Sequence, residues 1–146
     1  MNSSGEHELM SGSSTVSMMS IVRAAHALED RIEAALASAG LSSPKLTVLT
    51  ELVKANKPLA LSELANRVSC VRSNMTQLVD RLEADGLVAR VDDPEDRRAV
   101  RAAITDEGRR RQAVGNAEIS RLEAEFANAL TGQDQSALAR VLRQIG

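Results

Sequence analysis

At Gly86 the apolar periodicity of this sequence changes, and that change limits the fold more than any other feature. Upstream, Met75, Leu78, Val79 and Leu82 recur at the i, i+3, i+4, i+7 spacing of a buried helical stripe, predicting a helix from about Arg72 to Asp85. Downstream, Leu87-Val88-Ala89-Arg90-Val91 and Val100-Arg101-Ala102-Ala103-Ile104 read as two strands of a hairpin. Between them Asp92 to Arg98 forms a polar tip containing Pro94. A short helical unit precedes the Arg72 helix across a tight turn. It is expected to be capped by Ser62 and to bury Leu64, Ala65 and Val68.

The flanks are helical. From Thr15, the residues Met18, Val22, Ala25, Leu28, Ile32 and Ala35 recur at three- and four-residue steps, and Gly40 lies where a C-terminal cap belongs. Ser43-Pro44 then reads as an N-cap with Pro at the first helical position. The helix it opens buries Leu46, Leu49, Leu52 and Val53 and ends at Lys57-Pro58. Thr105 is placed to cap a long helix through Leu130, with Asp106 and Glu107 in the first turn where the macrodipole favours them. A last helix after Gly132 is expected to bury Leu138, Val141, Leu142 and Ile145.

This order predicts a mainly α fold with a small β-hairpin wing, a winged helix-turn-helix spanning 41–111. Residues 1–14, rich in Ser and Gly, read as a flexible leader. The stretches 15–40 and 112–146 carry more apolar length than such a domain requires. A symmetric homodimer is the simplest source of a partner surface, so these are read as dimerisation helices.

Composition agrees. One Phe, no Tyr and no Trp leave an aliphatic core, which favours packed helices over β-sandwiches. The same scarcity argues against binders of RNA or single strands, which stack bases on aromatics. The net charge of −2 is unremarkable, but its distribution is not. Six arginines between Arg97 and Arg111 face only Asp106 and Glu107, whereas the first forty residues are net acidic. A basic patch on a mildly acidic body suits a protein that meets phosphate on one face.

Double-stranded DNA is therefore the expected partner. Arg72, Ser73, Asn74, Thr76 and Gln77 lie off the buried stripe at the N-terminal end of their helix, the end that enters a major groove. In the tip, the acidic residues are expected to bond within the turn or to an arginine. They would thereby fix a guanidinium, with Arg97 or Arg98 as the minor-groove probe. The bland alternatives are a polar surface helix and a plain charged turn.

Asp93-Pro94-Glu95-Asp96-Arg97-Arg98, followed by Thr105-Asp106-Glu107-Gly108, resembles the wing signature of the MarR family of regulators. Glu63-Leu64-Ala65, Arg72-Ser73 and Leu78 to Val88 resemble that family's recognition helix and its exit, so the likeness covers about residues 44–111. It implies a dimer on a pseudo-palindromic operator, with interlocked terminal helices. Repression by promoter occlusion, relieved by a small ligand or by oxidation, would be the usual mechanism. It also implies Arg97 in the minor groove, Asp93 and Asp96 bracing the wing, and a small aromatic or phenolic effector. Val71 departs from the family's usual Ser or Thr cap, and Ile104 from its commoner Leu.

Cys70, the sole cysteine, rules out an internal disulfide and points to a reducing cytosol. It reads as an apolar plug in the helix-turn-helix turn rather than a redox sensor, since no second cysteine could resolve a sulfenic acid. His7 and His26 offer no convergent metal cluster, and no cofactor is expected. No phosphate loop and no nucleophile with a base suggest an enzyme. No stretch approaches a membrane span, so a cytoplasmic protein is expected. Met18 and Met19 could line an effector pocket but read first as core filler. The rival function is a winged-helix interaction module or antirepressor without DNA binding.

Overall fold

The computed structural model describes residues 15–146, apart from Val71 and the Arg72 side chain. The expected leader over 1–14 and the Val71 cap position lie outside the described residues.

Helix α1 (Met18–Ala37) starts at a reciprocal cap, in which the Ser20 N–H donates to Ser17 Oγ and the Ser17 N–H to Ser20 Oγ. Gly40, at φ +68°, ends it as expected. The Leu41 N–H donates back to the Leu36 carbonyl and the Gly40 N–H to that of Ala37. Helix α2 (Ser43–Ala55) is capped one residue earlier than expected. Ser42 accepts the Lys45 N–H, while the Ser43 N–H donates to Glu33 of α1. Asn56, left-handed at φ +50°, closes α2 before Lys57-Pro58. Val48, Leu49 and Leu52 are its buried residues, and Leu46 and Val53 are only half-buried.

Strand β1 (Leu59–Ala60) was not expected. Helix α3 (Leu61–Arg67) leaves it directly, with Ala60 as N-cap and no side-chain bond, so Ser62 lies inside the helix and does not cap it. Leu64 and Ala65 are buried and Val68 is half-buried. Helix α4 (Arg72–Ala84) follows, then β2 (Val88–Asp92), β3 (Val100–Ile104), α5 (Asp106–Asn128) and α6 (Gly132–Ile145). The antiparallel sheet runs β1-β3-β2, with Leu59 opposite Ala102 and Val88 opposite Ile104.

The core joins Leu36 of α1 to Leu49 and Leu52 of α2, Leu64 of α3, Met75, Val79 and Leu82 of α4, Leu87 just ahead of β2, and Ala102 of β3. Burying each large side chain contributes about 1.5–3 kcal/mol. Helix α5 crosses close over this core at Gly115, where an added Cβ would meet Leu41 Cδ1 at 2.9 Å and Leu46 Cδ1 at 3.0 Å.

Two expectations fail at the ends. None of Leu138, Val141, Leu142 and Ile145 is buried, and Met18 and Met19 stand exposed rather than in the core. Among the described residues nothing covers these faces.

Candidate nucleic-acid interface

The turn between α3 and α4 uses a left-handed residue, Ser69 at φ +51°. The Cys70 N–H donates to the Ala65 carbonyl at 2.8 Å, and the Ser69 N–H to that of Asn66. Half-buried Cys70 packs against the core, in keeping with an apolar plug. Met75 and Val79 fix the roll of α4 by full burial, which leaves Ser73, Asn74, Thr76 and Gln77 exposed in its first half. Arg72 opens the helix. Ser73, Asn74, Thr76 and Gln77 thus share one exposed helical end.

In the wing, the Ala99 N–H donates to the Asp96 carbonyl at 3.1 Å, closing a turn whose two central residues are Arg97 and Arg98. The Asp96 carboxylate accepts the Arg98 N–H at 2.9 Å, the local bond that suits Asp to a turn's first position. Asp93 accepts the Glu95 N–H at 2.9 Å with one oxygen and the Arg101 Nε–H at 3.0 Å with the other. The Glu95 N–H, and after it the Arg101 guanidinium, hold the Asp93 carboxyl below the usual carboxylate range. Both acids bond within the wing. The arginine that Asp93 fixes is Arg101, however, and not one at the tip.

The arginines then divide into two groups. Among the described residues, Arg31, Arg67, Arg90, Arg101, Arg110, Arg111 and Arg121 each hold a carboxylate, whereas others, among them Arg81 of α4 and Arg109 of α5, hold none. Arg97 and Arg98 are exposed, and among the described residues neither guanidinium has an ion-pair partner. Sequence reasoning missed Arg101 as a brace and Arg90 as a link. Arg90, on β2, pairs with both Asp80 and Glu83 of α4. The signal for Arg101 was available, because an arginine in a strand beside an acidic hairpin tip has a carboxylate within reach.

Among the described residues, no three His, Cys, Asp or Glu side chains converge to hold a metal. No helix there is long and apolar enough to cross a membrane. A groove of about 190 Å³ lies between α1 and α5, walled by Leu28, Ile32, Ile119, Leu122 and Phe126, with Arg31 and Glu123 also lining it. The one phenylalanine therefore lines this groove, and Met18 and Met19 do not.

The MarR family profile matches residues 41–100, from just ahead of α2 to the first residue of β3. A MarR-family transcriptional regulator from Streptomyces coelicolor, solved in complex with DNA, is 30% identical. That likeness covers 87% of this chain and 81% of that one, at a TM-score of 0.71. This chain belongs to the MarR family. The transcriptional regulator PcaV from Streptomyces coelicolor, solved with its natural ligand, is 28% identical over 85% of this chain and 89% of that one, at a TM-score of 0.67. The HTH-type transcriptional regulator PrsX of Escherichia coli is 36% identical over 92 residues, 62% of this MarR-family chain. Those residues are 55% of PrsX, so the chain spans about half the length of that relative.

Proposed function

We propose that this chain is a DNA-binding transcriptional repressor. It would act as a homodimer on a pseudo-palindromic operator, with α4 in the major groove and the wing turn in the adjacent minor groove. The observation that carries the reading is the contrast among the arginines. Arg97 and Arg98 occupy the centre of a turn tied by Asp96 and flanked by the Asp93–Arg101 pair, and their own charge is unmatched among the described residues. A braced cationic turn loses little conformational entropy on entering a narrow, strongly negative groove. Ser73, Asn74, Thr76 and Gln77, with Arg72 ahead of them, supply the donors and acceptors that read base edges.

Release by a small effector is part of the reading. The apolar groove between α1 and α5 joins the arm of one terminal helix to the long helix that leaves the wing, so a ligand there could shift one against the other. The PcaV neighbour was solved with its natural ligand, which supports an effector in this fold.

The test is selection of retained duplexes from a random DNA pool at two salt concentrations. A pseudo-palindrome with half-sites about one helical turn apart, and affinity falling steeply with salt, is the expected outcome. Arg97→Ala should then weaken binding by roughly tenfold and flatten the salt dependence, with the thermal midpoint unchanged. Unchanged affinity would remove Arg97 from the interface. No enrichment from the wild-type protein would favour an interaction module that does not bind DNA.

A further inference from the structure

The exposed side of α4 and its exit carry three carboxylates, Asp80, Glu83 and Asp85. On an element laid against phosphates, each would oppose binding. Each is met by a cation from a different element. Lys45 of α2 donates Nζ to Asp85 at 2.7 Å. Arg90 of β2 takes the other two: its Nη2 donates to Asp80 and its Nη1 to Glu83 at 3.1 Å. The second Glu83 oxygen accepts the Arg90 backbone N–H at 3.1 Å. The Arg90 side chain is 28% exposed, less than Asp80 at 57% or Glu83 at 42%, so it reaches them from the sheet side. Its planar fork suits two carboxylates at once, which an ammonium would hold only as a point charge.

We propose that Arg90 is a positioning residue for DNA binding, cancelling the charge of Asp80 and Glu83 from behind the recognition helix and fixing that helix to the base of the wing. The inference rests on the DNA-binding reading above. Arg90 contacts no nucleic acid itself. It lowers the repulsion that two carboxylates on α4 would exert on the phosphate backbone, so that the cations of α4 and of the wing turn act unopposed by them.

Non-specific binding is carried by phosphate electrostatics, so a labelled random-sequence duplex serves as the probe without a known operator. Arg90→Ala should bind this duplex roughly tenfold more weakly at low salt, the gap closing as salt screens the freed carboxylates. Asp80→Asn/Glu83→Gln, which keeps Arg90, should bind at least as tightly as the wild type. The triple variant Arg90→Ala/Asp80→Asn/Glu83→Gln should recover most of the affinity that Arg90→Ala loses. If Arg90 only stapled the fold, the double variant would weaken binding and the triple variant would do no better than Arg90→Ala. Either result overturns the proposal. The double variant keeps the test valid even if Arg90→Ala unfolds. Wild-type protein that binds no duplex would instead bring down the DNA-binding reading, and this inference with it.

Discussion

The Leu87 carbonyl oxygen accepts the Thr105 N–H at 3.1 Å and lies against Gly108, where an added Cβ would meet it at 2.1 Å, far inside van der Waals contact. Thr105 Oγ1 meanwhile donates to the Gly86 carbonyl at 2.7 Å and accepts the Gly108 N–H at 3.0 Å. Four residues thus lock the exit of α4 to the start of α5, and the wing is the loop between the locked ends. The Cβ would also meet Ile104 Cγ1 at 2.8 Å, but because the nearest obstructing atom is backbone, moving that side chain would not relieve Gly108→Ala. It should destabilise the fold by about 3 kcal/mol and lower the thermal midpoint by roughly 10 °C in a calorimetric scan. A loss below about 1 kcal/mol would mean the helix start can slide away from Leu87. At this scale the sequence was partly legible. Thr105 as cap and the acids behind it follow from nearest-neighbour hydrogen bonding and the helix dipole. The need for Gly108 depends on the Leu87 carbonyl, from the turn between α4 and β2, which local pattern does not reveal. Ser62 was misread for the same reason: Ala60 is held by its pairing opposite Arg101, so α3 starts from the sheet edge and no side-chain cap is used.

At the scale of elements, the wing depends on carboxylates that must stay ionised. The folded-state titration of Asp93 lies below its ordinary value, with the Glu95 N–H as first cause and Arg101 as second. A depressed carboxylate stabilises the fold where it is charged. Its contribution is therefore complete above the unfolded value of about 4 and is lost as pH falls through the lower, folded value. Nuclear magnetic resonance should show the Glu95 amide shift moving with a midpoint below about 4, and Asp93→Asn should abolish that movement. A midpoint at or above the ordinary value would mean that the turn does not hold Asp93 in solution. The hairpin itself was legible because its strands alternate in character between Gly86 and Thr105. The strand β1 was not. Two residues carry no period, and Leu59–Ala60 is a strand only because β3 offers a free edge to pair with. That Asp93 would seek an arginine was legible too, but which one was not, since strand register decides that Arg101 lies within reach.

For the whole molecule, the faces left bare are at the two ends of the chain. Met18 is 76% exposed, Leu142 52% and Ile145 59%, and no side chain of α6 joins the core. Burial of apolar area is the main favourable term in association, and soluble monomers seldom leave such stripes uncovered. The amphipathic spacing of Leu138, Val141, Leu142 and Ile145 was plain in the sequence, yet spacing says only that a face is apolar. It does not say whether the same chain or another covers it. Here α6 stands off its own core, and α1 bares Met18, Met19 and Val22, with Val16 exposed just ahead of it, so a second copy is the surface we infer. In a two-fold interface each substitution acts twice. Leu142→Glu, at about 2 kcal/mol per copy, should raise the dimer dissociation constant by roughly a thousandfold. Sedimentation should then report a monomer at concentrations where the wild type is dimeric, while the helix content contributed by residues 41–111 stays unchanged. Affinity for a two-half-site duplex should collapse toward that for a single half-site, because the second contact ceases to be intramolecular. A Leu142→Glu protein that still sediments as a dimer would place the interface elsewhere. A wild-type monomer at micromolar concentration would instead require another partner for α1 and α6, and a regulator that reads one half-site at a time.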